Sequence, residues 1–188
     1  MTVHFHQAAI IGIGLIGSSL ARVLRRKGLA DKITGAARSE KNRQTAVALG
    51  VVDEAFESPS DAVQGADIVF VCTPVGSIAE TVGGIVSALK KGAIVTDVGS
   101  VKTEIVRQVA PYLTDSFSFV AGHPVAGTEK SGPENGFAEL FEGRWCILTP
   151  DAGTDAKAVA AVREVWEIAG MKVEEMSPER HDKVMALM

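Results

Sequence analysis

The sequence predicts an α/β domain built on a doubly wound, mainly parallel sheet, and three observations carry that prediction. Short β-rich runs alternate along the chain with segments of helical period. One run, Ile68-Val69-Phe70-Val71-Cys72, is apolar throughout, as a central parallel strand covered on both faces must be. A glycine turn, Gly12-Ile13-Gly14-Leu15-Ile16-Gly17, joins the first strand to the first helix.

Ala8–Ile11 reads as the first strand, and Ile16, Leu20, Val23 and Leu24 then recur at helix spacing. Lys32–Ala36 is a weaker second strand. A polar helix over Glu40–Leu49 stops at Gly50, a good C-terminal breaker. After the central strand, Ile78, Val82, Ile85, Val86 and Leu89 mark another helix. Ala93–Asp97, Phe117–Val120 and Trp145–Leu148 are further strands, the last ended by Pro150. Val159, Val162, Val165 and Trp166 give a helix, and Met171–Met176 a final strand. This alternation means a doubly wound α/β domain with right-handed crossovers. The dinucleotide-binding domain is expected over residues 1–176.

Ser177-Pro178-Glu179 is a helix start, with proline at the first helical position. Val184, Met185 and Met188 build an apolar stripe that has no cap after it. Residues 177–188 read as the opening turns of a linker helix, with a second domain expected beyond Met188; the alternative is a frayed terminal helix docked on the domain.

Bulk properties narrow the function. The 188 residues suffice for one domain with a full core, and 46% hydrophobic with 22% charged residues is ordinary for a globular protein. A formal net charge of -4 argues against nucleic acid as the main partner. No apolar run reaches the roughly 18 residues of a membrane span. The segment Ala8–Ile16 is broken by Gly12 and Gly14 and lacks the basic flank and cleavage site of a secretory signal. Cys72 and Cys146 both lie in apolar runs, so reduced, packed thiols and a cytoplasmic location are expected. No metal is expected.

The glycine turn is a Rossmann-type fingerprint in the right context. Gly12 permits the tight turn, Gly14 lets a pyrophosphate approach the backbone, and Gly17 allows helix and strand to pack closely. Together with Leu15 and Ile16 they should hold the cofactor, with the helix N-terminus offering free N–H groups and a partial positive charge. A site selecting NAD usually places an acid about 20 residues after the glycines. Counting from Gly17 reaches Ala36, Ala37 and Arg38, and no acid stands there. Arg38 and Ser39, with Lys41 and Arg43 close by, suit a 2′-phosphate, which favours NADP over NAD. The alternative is that Arg38 stacks on adenine or faces solvent and backbone groups hold NAD.

Two later segments carry chemistry. Thr73 and Pro74 follow the central strand at its carboxyl end, where the ligands of such sheets lie, and should border the nicotinamide. Asp97-Val98-Gly99-Ser100-Val101-Lys102 ends the next strand in the same way. Ser100 can exchange a hydrogen bond with a substrate oxygen. Asp97 is either a contact or a helix N-terminal acid, and Lys102 reads most simply as solvated. His4, His6 and His181 read as structural. His123 differs: it follows a strand end and precedes Pro124, which stiffens its loop. An imidazole there can take a proton from a substrate hydroxyl as hydride leaves the same carbon. The polar loop Gly127–Gly132 could close over substrate, with Thr128 and Glu129 facing in.

GIGLIGSSLA (residues 12–21), CTPV (72–75), DVGSVK (97–102) and GHPVAGTEKSGP (122–133) together resemble the prephenate dehydrogenase family, which includes the arogenate and cyclohexadienyl dehydrogenases of tyrosine biosynthesis. The resemblance spans nearly the whole chain, and its last two motifs are the specific ones. It implies oxidative decarboxylation of prephenate or arogenate, with hydride passing to NAD or NADP. His123 would draw off the 4-hydroxyl proton, Ser100 would bridge that hydroxyl and the cofactor side, and Glu129 would help gate the entrance or order a partner cation. It further implies that an all-helical dimerisation domain, absent here, follows Glu179-Arg180-His181-Asp182, supplies an arginine for a substrate carboxylate and makes the whole protein a homodimer. Two other readings stand beside it: a β-hydroxyacid or imino-acid reductase, and a cofactor-binding module without turnover.

Overall fold

The computed structural model describes residues 2–187; Met1 and Met188, the latter counted in the apolar stripe above, lie outside the described residues. Six parallel strands form the main sheet: β1 (Phe5–Ile11), β2 (Ala30–Ala36), β3 (Glu54–Phe56), β4 (Ile68–Val71), β5 (Ala93–Asp97) and β6 (Phe117–Val120). Their spatial order is β3-β2-β1-β4-β5-β6. Helices α1 (Leu15–Arg26) and α6 (Ala156–Ile168) cover one face. Helices α3 (Pro59–Ala62), α4 (Ile78–Ile85) and α5 (Thr103–Val109) cover the other. Helix α2 (Glu40–Ala48) leads from β2 towards β3.

The strand alternation sorts the core. Ala8, Ile10, Ile68 and Phe70 face α1 and α6, where Leu20, Leu24, Val162 and Trp166 bury against them. Ala9, Ile11, Val69 and Val71 point the other way, onto Ile78, Val82, Ile85 and Ile105. Successive side chains of a strand alternate faces, so a strand between two helical layers must be apolar at every position. Ile68–Val71 is wholly buried for that reason.

Several elements are shorter than the periodicity predicts. The helix expected through Leu89 ends at Ile85 and continues only as a 3-10 turn, Val86–Ala88. β3, α3 and α5 have no counterpart in the sequence reading. At three, four and seven residues they are too brief to show a period.

Trp145–Leu148 and Met171–Met176, expected as strands with no partner assigned, lie outside the main sheet. β8 (Trp145–Leu148) lies between β7 (Gly122–Pro124) and β9 (Lys172–Glu175) in a separate three-stranded sheet. β7 pairs antiparallel with β8, and β9 pairs parallel with it. The change of sheet occurs at Gly122, whose N–H donates to Asp97 Oδ1 at 3.1 Å instead of extending the β5–β6 ladder. His123, expected in a loop, is therefore a strand residue paired with Ile147.

The last helix, α7 (Pro178–Met185), begins where expected. The Ser177 hydroxyl accepts the Arg180 N–H at 3.2 Å and Pro178 occupies the first turn. It packs back on the domain: both carboxylate oxygens of Asp182 accept N–H groups at the start of α5, from Lys102 at 2.8 Å and Thr103 at 3.0 Å.

Candidate active site

The strand order reverses between β1 and β4, and both strands run out at the same end of the sheet. A crevice at that point is where an open α/β sheet takes its ligand. The three glycines there have three different surroundings. Gly12 has φ +95°, and a Cβ would lie 2.6 Å from the Cys72 carbonyl oxygen. A Cβ on Gly17 would lie 2.1 Å from the Gly12 carbonyl oxygen. A Cβ on Gly14 would meet nothing within 4 Å. Gly12 and Gly17 are thus required by packing, while Gly14 faces open space at the head of α1. That helix has no side-chain cap and no acid in its first turn. Its first intrahelical bond is donated by Ser18 to the Gly14 carbonyl at 2.9 Å. Helix geometry leaves the amides of Leu15, Ile16 and Gly17 without intrahelical partners, pointing at a place for an anion.

At the neighbouring strand end, Thr73 Oγ1 is buried without a hydrogen-bond partner, and Pro74 beside it is exposed. A buried hydroxyl with no partner is costly unless a ligand satisfies it. Arg38 is exposed just past the end of β2. Ser39 caps α2, its hydroxyl oxygen accepting the Asn42 N–H at 3.2 Å. Arg43 is engaged with backbone, donating to the carbonyls of Ala37 at 2.7 Å and Arg38 at 2.9 Å. Arg38 and Lys41 are both exposed. The glycine cradle, the open amides and the unpartnered Thr73 hydroxyl fit a dinucleotide.

The chemical loops meet over a buried ion pair. Lys102, read from sequence as solvated, is 0% exposed, and so is Asp97. Lys102 Nζ donates to Asp97 Oδ2 at 2.5 Å and to the Gly122 carbonyl at 2.6 Å. Asp97 in turn accepts the N–H groups of Gly99 at 2.9 Å and Gly122 at 3.1 Å. One carboxylate and one ammonium therefore tie the backbone before Ser100 to the backbone before His123. Burial lowers the Lys102 pKa, against the attraction of Asp97.

His123 is 9% exposed. Burial, then the cationic forms of His181 and Lys102, push its pKa down to about 4, with Asp182 pulling the other way. Its imidazole is neutral at pH 7, free to accept a proton. Its Nδ1 lies 2.8 Å from Nε2 of His181, a fully buried residue of α7. His181 Nδ1 lies 2.8 Å from Asp182 Oδ1. His181 and Asp182 are what sequence reasoning missed; the only hint was a His-Asp dipeptide shortly after a helix start. Ser100 is exposed at the same end of the sheet. Thr128 and Glu129 lie on an exposed loop, where the Thr128 hydroxyl accepts the Lys130 N–H at 3.2 Å. Burial raises the pKa of both Cys72 and Cys146, which keeps the thiols protonated. Among the described residues no cluster of His, Cys, Asp and Glu could hold a metal ion, and no helix is long and apolar enough to cross a membrane.

A sheet of this strand order, with a glycine turn at its reversal point, defines the class as a dinucleotide-binding domain. Known proteins narrow that class. The family profile described as prephenate dehydrogenase, nucleotide-binding domain, matches residues 20–175. Cyclohexadienyl dehydrogenase of Zymomonas mobilis is 42% identical over 187 residues, which are 100% of this chain and 63% of that protein. The structure resembles prephenate dehydrogenase from Aquifex aeolicus in complex with hydroxyphenyl propionate and NAD+, with a TM-score of 0.90 and 40% identity over 98% of this chain and 64% of that one. It also resembles Synechocystis arogenate dehydrogenase, with a TM-score of 0.88 and 37% identity over 96% of this chain and 63% of that one. The chain belongs to the prephenate dehydrogenase family. It spans less than two thirds of the length of these relatives.

Proposed function

We propose that the chain is the cofactor-binding and proton-accepting half of an NADP- or NAD-dependent dehydrogenase that oxidatively decarboxylates prephenate or arogenate. The observation that carries this reading is the neutral, buried His123, tied through Asp97 and Lys102 to the loop of Ser100 at the ligand-binding end of the sheet. When bound, the nicotinamide cofactor supplies the hydride acceptor. The open amides of α1 and Gly14 would bind its pyrophosphate, and Thr73 and Pro74 would border the nicotinamide. The exposed Arg38, with no acid at the end of β2, supports recognition of a 2′-phosphate and hence NADP.

His123 would accept the proton of the 4-hydroxyl, and the Ser100 hydroxyl would hold that oxygen from the cofactor side. The ring carboxylate leaves as carbon dioxide and the ring becomes aromatic, which supplies the driving force. The protein's work is orientation and polarisation of one hydroxyl. Thr128 and Glu129, on the exposed loop, would gate the site. Residues that read the substrate's keto or amino side chain would come from outside this chain, from a helical dimerisation domain to which the helix over 177–188 would lead, in a homodimer.

His123→Asn tests the reading. In the full-length protein, cofactor-dependent turnover of prephenate should fall roughly 100-fold or more while cofactor affinity stays within about twofold. Undiminished turnover would overturn the proton-acceptor role. Titration calorimetry of the present chain with NADP and NAD, each with and without prephenate, reads the cofactor preference directly. Tighter binding of NAD would overturn the role given to Arg38.

A further inference from the structure

We propose that His181 and Asp182 form a positioning dyad that holds the His123 imidazole in its Nδ1–H tautomer and leaves Nε2 bare as the proton acceptor. This rests on the reading of His123 above, but the geometry behind it is independent of any substrate.

Three groups stand in line. The Asp182 carboxylate accepts from the Lys102 and Thr103 amides and faces His181 Nδ1 at 2.8 Å. Burial would favour its neutral form, but the hydrogen bonds from Thr103, His181 and the Lys102 amide outweigh that and hold its pKa well below the usual range. It is therefore a carboxylate with no proton to give. The hydrogen between Asp182 and His181 must sit on His181 Nδ1. An imidazole whose single N–H is the Nδ1–H facing Asp182 presents a lone pair at Nε2. The 2.8 Å contact to His123 Nδ1 then needs its hydrogen from His123. A neutral imidazole has one N–H, and this contact uses it, so Nε2 of His123 is left as an acceptor. His181 is fully buried, so water does not compete for either of its nitrogens.

The dyad also sits where it can keep this register. Asp182 bonds the amides that follow the Ser100 loop, so the carboxylate that orients the histidine pair also anchors the segment carrying Ser100. The charged and titratable groups around His123 are His181 and Asp182 on α7, Lys102 and Asp97 beneath it, and Cys146 on the paired strand. None of the others is shown in a hydrogen bond with Nδ1 of His123. A histidine packed there for shape alone would leave the tautomer of His123 unselected.

Nitrogen-15 NMR of the histidine side chains reads the tautomer without substrate or cofactor. In the present chain at neutral pH, His123 should show a protonated Nδ1 and an unprotonated Nε2. The Nε2–H form would overturn the proposal, and this result needs no variant. His181→Phe removes the acceptor and should mix the two tautomers; an unchanged Nδ1–H signal would refute the dyad. His181→Gln offers a carbonyl oxygen in place of the lone pair and should restore the single form; a mixture there would refute the acceptor role of His181. In the full-length protein His181→Phe should lower kcat at least about tenfold with the cofactor KM unchanged, and His181→Gln should recover part of it. Undiminished turnover of His123→Asn would refute the proton-acceptor role of His123 and leave the tautomer result standing.

Discussion

Lys102→Met is the most demanding test of the structure, because it removes the one ammonium buried among the described residues. The methionine fills similar volume, so loss of packing is small and the electrostatic change dominates. Nζ currently bonds Asp97 Oδ2 at 2.5 Å and the Gly122 carbonyl at 2.6 Å. Without it, a carboxylate with 0% exposure is left with no cation. Breaking a buried pair by removing one partner costs about 3–5 kcal/mol. The lower end applies, because Asp97 keeps amide bonds from Gly99 at 2.9 Å and Gly122 at 3.1 Å. A loss of ~3 kcal/mol is roughly a 150-fold change in the folding equilibrium. With a urea slope of ~2 kcal/mol/M, the unfolding midpoint should drop by ~1.5 M.

Circular dichroism in urea measures that midpoint, and two further variants supply the control. Asp97→Asn alone strands the ammonium and should cost a similar amount. Asp97→Asn combined with Lys102→Met removes both charges and should recover much of the loss, because a neutral pair carries no unpaired buried charge. A drop of less than about 0.5 M for Lys102→Met, or a double variant that loses the sum of the two singles, would refute the account of this pair.

The remaining predictions concern the cofactor turn, the histidine and the nucleotide. Gly14→Ala should leave the unfolding midpoint unchanged, since its Cβ meets nothing within 4 Å, yet weaken NAD(P) at least tenfold in calorimetry. Gly17→Ala, whose Cβ would lie 2.1 Å from a carbonyl oxygen, should destabilise the fold itself; equal effects on both properties in the two variants would contradict the division of roles. The His123 pKa falls from 6.5 unfolded to about 4 folded, so the unfolded chain binds more protons and stability rises with pH. That contribution is complete above pH 6.5 and is lost as pH falls towards 4, about 3 kcal/mol in all. His123→Asn should flatten the acid limb by that amount in melts run across the window, and an unaltered limb would argue against a buried neutral imidazole. Arg38→Ala should weaken NADP roughly tenfold and leave NAD unaffected; equal losses would mean that Arg38 reads the adenine end and not the 2′-phosphate.

Most of the strands were legible because each obeys a rule that acts within a few residues. Ala93–Asp97, Phe117–Val120 and Trp145–Leu148 have the bounds that their apolar runs predict. Which sheet each joins was not legible. Periodicity says how a strand is covered, not which strand it pairs with. Trp145–Leu148 pairs with Gly122–Pro124, which leaves the main sheet where the Gly122 N–H bonds the Asp97 carboxylate, a contact across 25 residues of sequence. The glycine turn was legible because its spacing between a strand and a helix is itself a pattern, although the contact that requires Gly12 is with the distant Cys72 carbonyl. Lys102 looked like any surface lysine, since nothing in its neighbours' identities announces a carboxylate folded over it. His181 was equally silent. It meets His123 across 58 residues, and a single histidine on a short helix carries no pattern of its own.

The placement of the buried ionisable groups is itself an argument for a reactive centre. Apart from the two cysteine thiols, the buried groups able to carry charge among the described residues are Asp97, Lys102, His123 and His181. All four are linked by hydrogen bonds or backbone continuity in one cluster at the ligand-binding end of the sheet. A fold concerned only with stability would fill such a place with apolar side chains, since a buried ion pair gains little over a hydrophobic replacement. Each member here does something that an apolar residue cannot. Asp97 holds two backbone amides, Lys102 holds that carboxylate and a carbonyl, and His181 stands against Nδ1 of His123. Remove the histidine pair and the Asp97–Lys102 clamp still joins the same two loops, but around a strand with no proton acceptor. The stability given up to bury these groups makes sense only if the position and protonation of one imidazole matter to what the site binds.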